Sequence, residues 1–88
     1  MLEIKKSELI ALIVSHYQQQ LKESTYQMYA LQQKYGCSFE ALEQDLSNSS
    51  EEQFGMWEDY ISWKGHQKSA QSLSSKIQKI EHGLFIVA

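Results

Sequence analysis

The chain has 88 residues, 42% of them hydrophobic and 11% aromatic, with a net charge of -3. All eight basic residues are lysines, which excludes bidentate base reading by arginine, and the acidic balance argues against a nucleic-acid surface. One cysteine, Cys37, excludes an internal disulfide and an all-cysteine metal site. A domain this small buries only about 60–65% of its unfolded surface, so further apolar contact is expected from oligomerisation or a partner chain.

No proline occurs and the glycines stand at 36, 55, 65 and 83, sparse punctuation that favours long helices. The opening residues lack a signal-peptide layout, and the apolar run Leu9 to Val14 is far short of the roughly 20 residues a membrane span needs. With a lone thiol, this predicts a reducing, cytoplasmic setting.

Ser7 is a weak helix cap because no acid follows at the third position, so the first helix is expected to begin near residue 3. From there Ile10, Val14, Tyr17, Leu21, Ser24, Met28, Leu31 and Tyr35 step by four and three residues, a heptad seam of coiled-coil type. Gly36 follows at once and Lys34 lies in the last turn, a helix stop that closes the element at residue 35. Ser24, the one polar seam position, predicts a close helix approach or a local kink. A helix this long, close to 50 Å, needs a neighbour of similar length.

A short second helix is expected over residues 38–46, capped by Ser38 and with Phe39, Leu42 and Leu46 on one face. Ser47 to Ser50 is a polar linker, and Ser50 with Gln53 forms a capping box that starts a third helix over residues 51–82. Along it Met56, Tyr60, Trp63, His66, Ala70, Leu73, Ile77, Ile80 and Leu84 form the main seam, while Phe54, Trp57 and Ile61 form a shorter stripe beside it. Gly65, inside this helix, implies a close-packing point or a bend, and Gly83 implies the stop. The apolar tail, residues 84–88, either packs on the first helix or is donated to a partner. The expected fold is therefore all-α: one domain over residues 1–88, a long antiparallel helical hairpin with a short connecting helix, dimerising into a four-long-helix bundle.

The chemistry-bearing residues point away from catalysis. His16, His66 and His82 share no metal spacing, and no Gly-rich phosphate loop is present. Cys37 stands near a helix amino end, where a thiolate is stabilised, yet no partner for nucleophilic chemistry accompanies it, and a small buried cysteine accounts for it equally. Glu58 and Asp59 lie about 100° apart round a helix and cannot face each other as an acid–base pair on their own; a solvated face, or a salt bridge from Asp59 to a lysine elsewhere, suits them better. No catalytic, cofactor-binding or metal-binding residue is expected. A small enzyme using Cys37 or a histidine is the remaining reading of that class.

Two segments carry a resemblance: Lys34-Tyr35-Gly36-Cys37-Ser38-Phe39-Glu40-Ala41-Leu42-Glu43 and Trp57-Glu58-Asp59-Tyr60-Ile61-Ser62-Trp63-Lys64-Gly65. Together they resemble small helical prokaryotic proteins of the antitoxin type, encoded beside a toxin partner. In that group a long helix ends in a Lys-Tyr-Gly turn and a Trp-Glu-x-Tyr-x-x-Trp segment opens the last helix. Cys37 and the serine-rich tract from Ser69 to Ser75 depart from the group's pattern. The resemblance implies a non-catalytic protein-binding module that neutralises a neighbour-encoded toxin by steric masking, with Glu40, Glu43, Asp45, Glu51 and Glu52 as candidates to mimic a nucleic acid. Trp57, Tyr60 and Trp63 at helical spacing are more often core than binding site, but tryptophan and tyrosine also dominate interface hot spots, and the expected partner-binding residues are Phe54, Trp57, Tyr60, Ile61, Trp63, Leu84 and Phe85. The alternative is a self-associating structural or regulatory subunit without a toxin.

Overall fold

The computed structural model describes residues 1–48 and 54–86. Among these residues it is all-helical, with α1 over Lys6–Tyr35, α2 over Phe39–Asn48 and α3 over Phe54–Glu81. Helices α1 and α3 form the hairpin. The pairings Lys34 with Asp59, Lys76 with Tyr17 and Lys6 with Phe85 show that they run antiparallel along their whole length. The result is a rod of 63 × 22 × 20 Å with a radius of gyration of 18.0 Å, against about 12 Å for a compact domain of this length.

The heptad pattern is what places the seams. Every one of the eight α1 seam residues is at least half-buried, and Ser24 is buried outright. Across from it, Trp63 and Leu73 are buried and the other α3 seam residues from Met56 to Ile80 are half-buried. A serine at that depth holds the helices close without breaking α1, which runs uninterrupted through it.

The ends follow local chemistry. Gly36 ends α1 at φ 64°, in the left-handed region, and its N–H donates to the Gln32 carbonyl at 2.8 Å. The Ser38 hydroxyl accepts from the Ala41 N–H at 3.2 Å and caps α2. Gly83, at φ 70°, closes α3 with paired bonds from its own N–H to Ile80 and from the Leu84 N–H to Lys79, the Schellman arrangement. Two boundaries differ from expectation. Helix α1 starts at Lys6 and not near residue 3, because Lys5 supplies no side-chain cap and nothing upstream fixes the first turn. Helix α2 runs two residues past 46, to Asn48. The capping box at Ser50 and Gln53 and the expected start near residue 51 lie outside the described residues.

The core is concentrated at the closed end. Phe39, Leu42 and Leu46 from α2 pack with Trp63 from α3, and Met28, Leu31, Tyr35, Cys37, Met56 and Tyr60 close round them. Leu42 is only 1% exposed, a burial worth about 2–3 kcal/mol for a leucine side chain. At the open end Phe85 turns back to join Lys6, Leu9, Ile10, Ile13, Tyr17 and Ile80, with the Lys6 ammonium 5.6 Å from its ring centre.

Candidate protein-binding surface

The aromatic segment opening α3 divides its side chains between inside and outside. Trp63 is 4% exposed and meets Phe39 edge-on at 5.7 Å. Tyr60 stacks on Phe39 at 5.2 Å and donates its hydroxyl to Glu43 at 2.7 Å, tying α3 to α2. That bond holds the Tyr60 phenol above its ordinary range. Trp63, expected on the partner-binding surface, is a core residue in the structure: the arrival of α2 encloses it. Tyr60 is half-enclosed for the same reason.

The adjoining stripe remains open. Phe54 is 73% exposed, Ile61 65% and Trp57 43%, with the Trp57 ring edge-on to Tyr60 at 5.6 Å. Their spacing of three and four residues sets them on one side of α3. Leu84 and Phe85 lie at the other end of that helix, roughly 40 Å away by helical rise, so the seven expected residues do not form one patch. Leu84 is exposed and Phe85 is half-buried against α1. A further apolar surface lies on α1, where Leu21, Thr25, Tyr26 and Tyr29 line a shallow groove. Both tyrosines are exposed, and Tyr29 also borders a hollow shared with Phe39 of α2 and Trp63 of α3.

Asp59 anchors the closed end. Its carboxylate accepts from the Lys34 ammonium at 2.6 Å and from the Tyr35 hydroxyl. These bonds, Lys34's foremost, hold the Asp59 carboxyl below the usual carboxylate range. Lys34 is raised in turn by its bond to Asp59, and Tyr35 is raised first by burial and then by its own bond to Asp59. Of the two expectations for Asp59, a solvated face or a salt bridge to a lysine elsewhere, the structure shows the second, and the pair fixes the register of α1 on α3. Neighbouring Glu58 points to solvent.

The remaining candidates are dispersed. Among the described residues no three His, Cys, Asp or Glu side chains gather as a metal ion requires. His16 and His82 are exposed and His66 is half-buried on the seam. His82 caps the end of α3, its Nδ1 2.7 Å from the Gln78 carbonyl. Cys37 is a half-buried free thiol against the core. Of the acidic residues, Glu40 and Asp45 are exposed, Glu43 is engaged by Tyr60, and Glu51 and Glu52 lie outside the described residues. A Cβ at Gly65 would meet nothing within 4 Å, so no close packing among the described residues explains this glycine. Among the described residues no helix is long and apolar enough to cross a membrane.

Compared with known protein families, with curated proteins and with solved structures, the chain matches none.

Proposed function

We propose that this chain is a non-catalytic protein-binding module of the antitoxin type, which neutralises a neighbour-encoded partner by covering its working surface. The observation that carries the reading is the stripe of Phe54, Trp57 and Ile61, large apolar side chains left open on a rigid helix whose opposite face is anchored in the core. A preorganised helical stripe loses little entropy on docking, which is how helix recognition gains affinity. The reading assigns no cofactor, metal or nucleic acid, sets the chain in the cytoplasm and leaves the membrane out of its work. It is tested by co-expressing the chain with its neighbouring reading frames and capturing whatever it holds. Trp57→Ala is expected to lose the captured protein while helicity stays unchanged; capture that survives this change overturns the role given to the stripe.

A second reading, self-association into a bundle of four long helices, is favoured by the exposed area. The chain presents 7023 Å², whereas a compact monomer of this mass presents about 5,300 Å². The excess is larger than the roughly 800 Å² each partner surrenders in a standard interface.

A further inference from the structure

Gly65 stands midway along α3, where glycine costs about 1 kcal/mol relative to alanine, and the space above it is open. One turn before it on the same face is Ile61, with Trp57 and Phe54 before that and Lys64 and Lys68 beside and beyond it, all exposed. We propose that this outer face of α3 docks antiparallel on the same face of a second copy of the chain, with the two-fold axis at Ile61. The inference rests on the self-association reading and deepens it by naming the surface and register, with a second copy on the stripe in place of a neighbour-encoded protein.

An isologous contact requires a surface to complement itself under a two-fold rotation. About an axis at Ile61, residues equally far before and after it meet across the interface. Three positions out, Glu58 meets the partner's Lys64, opposite charges on the two chains. Four positions out, Trp57 meets the partner's Gly65, a large ring over the one position that has no side chain. Seven positions out, Phe54 meets the partner's Lys68, whose methylene stem and ammonium can lie along the ring. Every pair occurs twice by symmetry. A parallel two-fold pairing in register would oppose Glu58 to Glu58, Lys64 to Lys64 and Trp57 to Trp57, so the charges and volumes select the antiparallel sense. The open Cβ direction at Gly65, which no described residue of its own chain fills, becomes the seat of the partner's Trp57.

Sedimentation or size exclusion with light scattering on the full chain reads the outcome against a single-chain mass of 10.2 kDa. Wild type is expected at twice that mass. Ile61→Glu, exposed and therefore harmless to the fold, is expected to weaken the dimer by at least about tenfold. Gly65→Leu is expected to dissociate it although it strengthens the helix. Glu58→Lys or Lys64→Glu alone sets like charges together at both symmetric contacts and weakens association, and the two together restore it. In a Cys37→Ser background, Ile61→Cys is expected to cross-link to itself on mild oxidation. A wild-type chain of single mass, or a dimer indifferent to Ile61→Glu and Gly65→Leu, overturns the proposal. A monomer that still captures a neighbour-encoded protein through Trp57 overturns self-docking and leaves the protein-binding reading standing. A dimer with the stated register that captures nothing does the reverse for the antitoxin assignment.

Discussion

At the closed end of the hairpin, α2 lays Phe39, Leu42 and Leu46 across the two long helices and encloses Trp63. At the open end the same two helices meet with Ile10, Tyr17 and Ile80 on the seam, and among the described residues Phe85 and Ile86 reach back to them. The seams step by threes and fours at both ends, yet three of the four residues of the buried cluster belong to α2. A pair of helices can hide one stripe each and no more; a third element turns a seam into a core.

The largest way to break this contrast is Leu42→Ala. Truncating so deeply buried a leucine is expected to cost about 3 kcal/mol in chemical unfolding. Ile80→Ala at the open end, where the side chain is half-buried, is expected to cost about 1 kcal/mol. Hydrogen exchange sharpens the same comparison: amides of residues 6–17 are expected to exchange faster than those near Trp63, and Phe85→Ala to widen the gap. Equal protection at both ends would show that the tail supports its end as firmly as α2 supports the other.

A smaller effect of opposite sign is expected between the two ends. Gly65→Ala, tested at concentrations that keep the chain single, is expected to raise stability by about 0.5–1 kcal/mol, since alanine enters open space on a regular helix.

The smallest effect is electrostatic and confined to the closed end. Because the folded state lowers the Asp59 pKa, its contribution is complete above the ordinary aspartate value and fades as pH falls through the lower folded value. Lys34 and Tyr35 are shifted upward, so their contributions are complete below their ordinary values and fade as pH rises beyond about 10. Asp59→Asn is expected to flatten the acid limb of a stability–pH profile. With Lys34 mostly in solvent, the thermal midpoint at neutral pH should fall by only about 1–2 °C.

What the sequence made legible follows from these terms. A heptad is a local statement, so the seam residues Ile10 to Tyr35 could be read off their spacing, and so could the stops at Gly36 and Gly83 and the cap at Ser38. The fate of Trp63 could not, because it depends on where α2 lands, and nothing in a run of three and four says which of two aromatic stripes a third helix will cover. The start of α1 was unclear for a different reason: Lys5 offers no side-chain acceptor, and a helix end without a cap leaves little local signature. The candidate surface was half legible. Phe54, Trp57 and Ile61 stand open as their stripe suggested, whereas Leu84 and Phe85 belong to the other end of the rod.

The unequal burial of the two tryptophans gives the molecule its own pair of optical reporters. Trp63, walled in by Phe39 and the α2 leucines, is expected to emit toward the blue and resist iodide quenching until the core opens. Trp57 is expected to emit further to the red and to be quenched freely, losing that accessibility only when something settles on α3. Trp57→Phe and Trp63→Phe would separate the signals, so that unfolding and docking can be followed in the same cuvette without attaching a label.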